Sequence, residues 1–337
     1  MPFTDLDQFR EKLAKLPSKN VSSENIAKDR NAQLTKPAGS LGTLEDIAIW
    51  TAAWQGKHLP CFKQLQIAIF AGNHGVCAQG ISAFPPEVTT QMVGNFENGG
   101  AAINQLAKAF GAHFSVHPLQ LEVPTADFTT AAAMTEVECV NALNNGWNAV
   151  KPSSDFLVVG EMGIGNTTVA SALCTALFGG GGQHWAGPGT GVDAAGVSHK
   201  ARVIDKGIER HREILSDPVE ILRCLGGREL AAMAGAILAA RYNSIPVILD
   251  GFVTCAAAAV LAKANPKALD HCIAGHVSAE PGHIHLLEKL NKSPLLNLGM
   301  RLGEGSGAAL ALGIVKGAIA THVGMATFAD AGVSGED

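Results

Sequence analysis

The chain has 337 residues, of which 47% are hydrophobic, 16% are charged and 38 are glycine, and its formal net charge is -5. This length and apolar content suffice for a large buried core, in one big domain with an appendage or in two unequal domains. The negative charge and the lack of a basic stripe disfavour nucleic-acid binding, and the composition is not that of a disordered or coiled-coil protein.

The N-terminus, Met1 to Asp5, lacks the basic and apolar stretches of a signal peptide, and glycines or charges interrupt the apolar runs before they reach about 18 residues. The seven cysteines are scattered and include no C-x-x-C pair, which is typical of reduced thiols. We therefore predict a cytoplasmic protein.

The first 60 residues are predicted to be helical. Thr4 or Asp5 can cap a helix over Leu6 to Leu16, Ser22-Ser23-Glu24 opens a second helix, and Leu44 to Trp54 has helical spacing of its apolar residues. We predict that residues 1–60 form the N-terminal helical part of a small domain. Residues 61–337 are predicted to form an α/β catalytic domain, whose C-terminal helix can also contribute to the small domain.

From Gln64 onward, short apolar runs end in glycine-rich turns and are followed by alanine-rich helical stretches. This pattern predicts the fold class α/β, with a mainly parallel, Rossmann-like sheet flanked by helices. The predicted strands are Leu65 to Phe70, Phe156 to Val159, Val247 to Leu249, Cys272 to Ala274 and Leu295 to Leu298.

Each predicted strand ends in polar or glycine residues. Because ligands bind outside the carboxyl ends of strands in open α/β sheets, we expect these five exits to form one crevice. The exits are Ala71 to Gly75, Gly160 to Thr168, Asp250 to Phe252, Gly275 to Ser278 and Gly299 to Gly307.

Two further segments have clear local signals. Phe84-Pro85-Pro86-Glu87 predicts a turn into one helix over Val88 to Phe110, and Gly179 to Gly182 predicts a flexible loop.

The segment Gly160 to Thr168 contains three glycines that allow close backbone approach to a ligand. Asn166 or Thr167 can cap the following helix, whose N-terminus attracts anions. Gly163, Ile164, Gly165 and Asn166 are therefore candidates for binding phosphate. The segment lacks the Gly-Lys-Ser/Thr of a P-loop, so an ordinary turn is an equally good interpretation.

A second glycine-rich segment, Gly187 to Asp193, precedes a helix that contains Lys200. The ammonium group of Lys200 can reach a phosphate from the first turns of that helix. On spacing alone, a solvated surface lysine is the better interpretation.

The segment Gly275 to His285 offers a competing function, because His276, His283, His285 and Glu280 could supply metal ligands to a hydrolase. Pro281 at the start of a helix would place His283 and His285 on different faces, and there is no His-Glu-x-x-His spacing. Ser278 and its neighbouring amides fit a phosphate at a strand exit better than a metal.

Glu304 lies between two glycines in Gly299 to Gly307, directly before an apolar helix over Ala308 to Thr321. In the simplest interpretation it is an acid that stabilises the helix N-terminus. In a functional interpretation, the glycines leave room for a ring nitrogen to reach the carboxylate, as a general base requires.

Taken in order, these segments resemble the nicotinate-nucleotide--dimethylbenzimidazole phosphoribosyltransferases, which make the lower ligand of cobalamin. The resemblance runs almost end to end. Its segments are Lys36 to Gly42, His74 to Val76, Gly80 to Pro85, Glu87 to Thr89, Gln91 to Val93, Glu161 to Thr168, Gly189 to Gly191, Asp250 to Phe252 and Arg301 to Gly307.

The resemblance implies transfer of 5-phosphoribosyl from nicotinate mononucleotide to 5,6-dimethylbenzimidazole, with inversion at the anomeric carbon, no metal or other cofactor, and a homodimer. By matching position, Glu304 would deprotonate the benzimidazole, and Glu161 would line the ribose side or assist when Glu304 is absent. The positions matching the nucleotide site, chiefly its phosphate, are Gly163, Lys200, Gly251 and Ser278. The positions matching the benzimidazole site are Ser82, Gln91 and Leu302.

Two positions depart from the family pattern. Asn73 stands where an acidic residue is expected before His-Gly-Val, and Asn297 stands where an Asp often precedes the Met-Arg-Leu-Gly-Glu segment. Both keep the size of the side chain and lose its charge.

Overall fold

The computed structural model of the protein describes residues 2–334. Three helices occupy the N-terminal part, as predicted: α1 (Leu6–Ala14), α2 (Val21–Gln33) and α3 (Thr43–Gln55). The Asp5 side chain caps α1 by accepting from the N–H of Gln8. Asn20 caps α2, so this helix begins just before the predicted Ser22.

Six parallel strands form one sheet: β1 (Leu65–Ala71), β2 (His113–Pro118), β3 (Phe156–Met162), β4 (Val247–Leu249), β5 (Cys272–His276) and β6 (Pro294–Leu296). Their order is β2-β1-β3-β4-β5-β6. The predicted parallel α/β sheet is therefore confirmed. The last strand ends at Leu296, two residues before its predicted end.

Strand β2 was not predicted from the sequence. It lies at the edge of the sheet, pairs only with β1, and is half-exposed along most of its length. Its residues His113, Ser115 and His117 alternate with apolar ones, because an edge strand does not need the continuous apolar run of a buried parallel strand.

The remaining helices surround the sheet: α4 (Glu87–Glu97), α5 (Ala102–Phe110), α6 (Glu136–Ala149), α7 (Asn166–Phe178), α8 (Gly182–Trp185), α9 (Ala194–Arg210), α10 (Pro218–Leu225), α11 (Arg228–Tyr242), α12 (Phe252–Ala264), α13 (Pro281–Lys289), α14 (Ser306–Gly324) and α15 (Phe328–Ala331).

The prediction of one helix over Val88 to Phe110 is wrong, because α4 and α5 are separate. Gly99 has a φ of 75°, in the left-handed region, and follows the end of the first helix. The second helix then starts after Ala101, whose N–H donates to the Asn104 side chain at 3.0 Å. The Gly99-Gly100 pair was the signal for this break.

Alternate residues of the central strands pack into two different apolar layers, as the period of a strand requires. Val159 lies in the layer that contains α6, α7, α11 and α12, whereas Val158 lies in the layer that contains α5 and α14. The N-terminal helices join both layers, since Phe9 of α1 lies in the first and Ile47 of α3 in the second. The division into a small and a large domain stays a prediction.

Helix α14 is, at 19 residues, long and apolar enough to span a membrane by length and composition, but half of that stretch is buried inside the protein. Its residues Ala308, Leu312 and Val315 pack against the sheet layer formed by Ile67 and Val158. Packing against the sheet accounts for the apolar composition of this helix.

Candidate active site

An open cavity lies at the carboxyl ends of β3, β4, β5 and β6. Four of the five predicted strand exits contribute to its lining, as expected for an open α/β sheet. The lining residues are Glu161, Met162, Gly163, Ile164, Asn166, Thr167, Gly189, Thr190, Gly251, Phe252, Val253, His276, Ser278, Glu280, Arg301, Leu302, Gly303 and Glu304.

The turn between β3 and α7 forms one wall of the cavity. Gly165 has a φ of 87° and is itself the N-cap residue of α7. The prediction that Asn166 or Thr167 caps the helix is therefore wrong. The Asn166 side chain instead donates to Oε2 of Glu161, so it positions a carboxylate rather than the helix end.

The fifth exit, after β1, packs behind this turn. A Cβ at Gly163 would come within 2.7 Å of the Gly72 carbonyl oxygen and 3.1 Å of His74 Nε2, so only glycine fits without movement. His74 Nε2 lies 2.7 Å from Glu229 Oε1, and both side chains are fully buried. Glu229 lies on α11, far from any strand exit in sequence, and no sequence signal pointed to it.

Lys200 is not a surface residue. It is only 3% exposed, and its Nζ donates to the carbonyl of Gly187 at 3.2 Å and lies 3.4 Å from Thr167 Oγ1. Burial lowers the pKa of Lys200, although the charge of Glu280 opposes this effect. The interpretation as a solvated lysine is wrong, because the Gly187 to Gly191 loop folds over the side chain and encloses it.

A cation, a helix N-terminus and a glycine loop therefore meet at one end of the cavity. Gly189 has a φ of 54°, and a Cβ there would come within 2.8 Å of Thr167 Oγ1. Arg301 Nη1 donates to the Gly189 carbonyl at 3.3 Å, which brings a second cation to the same loop. This combination is suited to a phosphate group.

Glu304 lies in the turn immediately before α14, and it is 6% exposed. Its backbone has a φ of 60°, which is uncommon for a residue other than glycine and costs about 1–3 kcal/mol. Burial, together with the charge of Asp250, raises the pKa of Glu304 to about 7. A carboxylate with such a pKa can accept and release a proton near neutral pH.

Glu161 is the second carboxylate of the cavity. Burial raises its pKa to about 8, and the charges of Asp250, Glu229 and Glu304 act in the same direction, against the hydrogen bond from Asn166. A Cβ at Gly303 would overlap Glu161 Oε1, so the turn that carries Glu304 lies directly on Glu161. Asp250 is the neighbouring charge that raises the pKa of both carboxyl groups, whereas the charge of Glu304 is the weakest of the influences on Glu161.

Asp250 holds the Glu304 turn in place. It is buried and accepts from the N–H of Gly305 at 3.1 Å and of Ala308 at 2.9 Å, which are donors at the start of α14. Burial alone would raise the pKa of Asp250, but His276 and the backbone donors lower it below the ordinary value. Sequence reasoning placed Asp250 in a strand exit and missed this capping role.

The three histidines considered as metal ligands do not meet at one point. His283 Nδ1 accepts from the N–H of Ser278 at 2.8 Å, and His276 Nε2 lies 3.4 Å from Asp250 Oδ1. The partly exposed His285 stacks on His184 with ring centroids 4.7 Å apart, so His283 and His285 are on different faces, as predicted. Within residues 2–334, no group of three or more His, Cys, Asp or Glu side chains could hold a metal ion.

The structure gathers most of the predicted site residues but not all of them. The predicted residues that line the cavity are Glu161, Gly163, Ile164, Asn166, Gly251, Ser278, Leu302 and Glu304. Lys200 borders the cavity behind Gly189, and Gly165 packs behind the wall on Cys77 and Ile81. Ser82 and Gln91 do not line it: Ser82 Oγ accepts from the N–H of Phe84, and Gln91 is exposed on α4.

Neither departure from the family pattern lies in the cavity lining. Asn73 is buried, and its Nδ2 donates to the carbonyl of Leu121 at 3.1 Å. Asn297 is exposed on the segment that follows β6.

Comparison with known proteins gives a consistent result. A family model described as phosphoribosyltransferase matches residues 16–333. The chain is 60% identical over 331 residues to the nicotinate-nucleotide--dimethylbenzimidazole phosphoribosyltransferase of Ruegeria pomeroyi, covering 98% of both chains. It is 57% identical over 332 residues to the protein of the same name from Novosphingobium aromaticivorans, again covering 98% of both chains.

Solved structures agree with the sequence comparison. The crystal structure of CobT from Thermus thermophilus superposes with a TM-score of 0.88 at 39% identity, covering 94% of this chain and 100% of that one. A second structure from the same organism, titled as the nicotinate-nucleotide-dimethylbenzimidazole enzyme, gives 0.87 at 38% identity with the same coverage.

Proposed function

The chain belongs to the nicotinate-nucleotide--dimethylbenzimidazole phosphoribosyltransferase family and is an enzyme of that class, and from this premise we propose its substrates, stereochemistry and catalytic residues. Nicotinate mononucleotide donates its 5-phosphoribosyl group to 5,6-dimethylbenzimidazole. The products are α-ribazole 5'-phosphate and nicotinate.

The observation that carries the proposal is the position of Glu304, a buried carboxylate with a pKa of about 7 that lines the same cavity as the glycine loops and Arg301. A general base acts best when its pKa is close to the working pH. Nicotinate bonded through a cationic ring nitrogen is already a good leaving group. The protein therefore has to position the substrates, bind the phosphate and remove one proton.

In the proposed step, one nitrogen of the benzimidazole attacks C1' of the ribose while the bond from C1' to the nicotinate nitrogen breaks. The electrons of that bond neutralise the pyridinium ring. Glu304 accepts the proton from the other nitrogen of the benzimidazole, which keeps the product ring neutral. Attack from the face opposite the leaving group inverts the anomeric carbon and gives the α-nucleotide.

Glu161 has a different role in this proposal. With a pKa of about 8 it is largely protonated near pH 7, so it can donate a hydrogen bond to a hydroxyl group on the ribose side. It becomes the replacement base when Glu304 is removed. Opposite protonation states for two neighbouring carboxyl groups are how such sites separate an acid from a base.

The nucleotide phosphate is proposed to lie near Lys200, Arg301, Ser278 and the start of α7, where Gly163 and Gly251 allow close approach. The benzimidazole is proposed to lie toward Leu302, which is 57% exposed at the cavity and offers apolar surface. Ser82 and Gln91 are proposed to contact the benzimidazole on the family resemblance alone, because neither residue lines the cavity in this structure.

In the test, purified protein is incubated with nicotinate mononucleotide, and the release of nicotinate is measured with and without 5,6-dimethylbenzimidazole. We expect release only with the acceptor, and a product whose anomeric proton has the NMR coupling of an α-nucleoside. Equal release without the acceptor would instead identify a nucleotide hydrolase, and a β-product would contradict single displacement.

We also propose that the enzyme acts as a homodimer without a metal or other cofactor, as the family resemblance implies. Sedimentation equilibrium at enzyme-assay concentrations should give twice the mass of the 34.9 kDa chain. Activity should persist after treatment with a chelator and desalting.

A further inference from the structure

Glu280 is a buried carboxylate of the cavity to which the proposed mechanism assigns no role. It follows β5, immediately before α13, lines the cavity and is only 6% exposed. Among residues 2–334, no donor meets the geometry of a hydrogen bond to Oε1 or Oε2 of Glu280, although the N–H of Gly189 lies close enough to favour the ionised carboxylate. A buried polar group without a partner is costly, so such a group in a binding cavity requires an explanation.

The surroundings of Glu280 are those of the proposed phosphate subsite. Its Oε2 lies against Gly187, where a Cβ would overlap it, and the Gly187 carbonyl accepts from Lys200 Nζ on α9. Arg301, which follows β6, bonds to Gly189 of the same loop. The backbone N–H of Glu280 donates to Ser278 Oγ at 3.2 Å.

A carboxyl group such as that of Glu280 is unusual in a subsite that must bind an anion. Burial raises the pKa of Glu280, and this effect prevails over the opposing influence of Lys200, the Gly189 N–H and Arg301. A phosphate monoester carries close to two negative charges above its second pKa of about 6. Placing that charge beside Glu280 would further disfavour the carboxylate and favour the carboxylic acid.

We propose that Glu280 is a phosphate-binding residue in its protonated form, whose carboxylic acid donates a hydrogen bond to the nucleotide phosphate while Lys200 supplies the positive charge. This inference rests on the proposed function. At a pH where Glu280 is ionised in the free protein, it takes up one proton from solvent for each nucleotide bound. No bond of the substrate changes in this step.

The arrangement makes nucleotide affinity dependent on pH in a defined direction. Below the pKa of Glu280 in the free protein, the group is already protonated and binding takes up no proton there. Between that pKa and the higher value in the complex, affinity should fall about tenfold for each pH unit. The charge of the phosphate also acts through space on Glu161, Glu304 and Lys200, so the proton uptake assigned to Glu280 is the part that Glu280→Gln removes.

The experiment is isothermal titration calorimetry with nicotinate mononucleotide and no acceptor, from about pH 6.5 to 9.5, in buffers that differ in ionisation enthalpy. Nicotinate riboside, which lacks the phosphate, is the second ligand. The variants are Glu280→Gln, which donates a hydrogen bond at every pH, and Asp155→Asn, which removes a buried carboxylate at the amino end of β3, away from the cavity.

We expect the wild-type protein to take up about one more proton with the nucleotide than with the riboside. Glu280→Gln should lose this difference and bind the nucleotide more tightly than wild type at the alkaline end. Asp155→Asn should behave as wild type.

The same proton uptake in Glu280→Gln would overturn the inference, as would weaker binding by that variant at every pH. Should Glu280→Gln fail to fold, equal uptake with nucleotide and riboside in the wild type would overturn it. Nucleotide binding without Glu280-dependent uptake would leave the proposed function intact, whereas no nucleotide binding at all would overturn both.

Discussion

The two ends of β3 carry buried carboxylates in opposite situations. Asp155, just before the strand, accepts from the N–H groups of Lys63 and Gln64 at 2.9 Å each and from Lys57 Nζ at 2.9 Å. Burial alone would raise the pKa of Asp155, but these donors lower it below the ordinary value. Glu161, six residues later, has the Asn166 amide as its hydrogen-bond donor and a pKa of about 8.

This difference separates residues that support the fold from residues that are available for chemistry. At the amino end of the strand, donors of the protein surround the carboxylate and stabilise its ionised form. At the carboxyl ends of β3, β5 and β6, burial raises the pKa of Glu161, Glu280 and Glu304, and the hydrogen bonds to these carboxyl groups do not reverse that effect. Perturbed groups in a cleft are those expected to act on a substrate.

The largest expected effect comes from Glu304→Gln. Loss of a general base should reduce kcat by about 10²- to 10⁴-fold, with the KM for nicotinate mononucleotide little changed. We expect Glu161 to supply the residual rate, so the double variant with Glu161→Gln should be slower still. Steady-state kinetics measure both, and a Glu304→Gln enzyme with wild-type kcat would remove this residue from the mechanism.

The next effect distinguishes Lys200, which borders the cavity, from Lys57, which pairs with Asp155. Lys200→Met should weaken nucleotide binding by about 10- to 100-fold, because it removes the buried charged hydrogen bond that we propose Lys200 donates to the phosphate. Lys57→Met removes the ion pair with Asp155 and should leave nucleotide affinity unchanged. Direct titration of both variants tests the assignment, which fails if they weaken binding equally.

The pH dependence of the rate should reflect the titration of the cavity carboxylates and not that of Asp155. Glu304 must be ionised to accept a proton, so kcat/KM for the benzimidazole should fall tenfold per pH unit below an apparent pKa of about 7. In Glu304→Gln this limb should move to a higher pH, because the replacement base Glu161 has a pKa of about 8, whereas in Asp155→Asn it should stay where it is. A limb that stays near pH 7 in Glu304→Gln would assign the titration to another group.

The smallest effect concerns stability, and its sign should differ between the two ends. The lowered pKa of Asp155 stabilises the fold above the unfolded pKa, and this contribution is lost as pH falls through the folded value. Asp155→Asn should therefore lower the free energy of unfolding at about pH 7 by about 1–3 kcal/mol.

The raised pKa of Glu161 has the opposite consequence. Stability decreases as pH rises from the unfolded pKa to about 8, so Glu161→Gln should be at least as stable as wild type at about pH 8.5. Denaturant melts at the two pH values measure both variants. Destabilisation of the same size in both would contradict the comparison.

Local sequence patterns were sufficient to predict the N-terminal helices, the polar strand exits and every strand except β2, because apolar periodicity and glycines report local structure directly. They failed for β2, whose edge position removes the apolar run, and for Asn166, whose side chain bonds to Glu161 instead of capping α7. Ser82 and Gln91 were predicted only from the family resemblance, and their roles stay a prediction.

The sequence by itself determined the α/β class, the family and the position of Glu304 between its glycines. Only the tertiary structure decided that Lys200 is buried, that Asp250 caps α14, that Glu280 lines the cavity and that Glu229 lies behind it. The physical reason is that burial and electrostatic interactions depend on distances between segments far apart in the chain. A sequence pattern reports neighbours within a few residues, whereas a pKa depends on every charge and donor that the fold brings close.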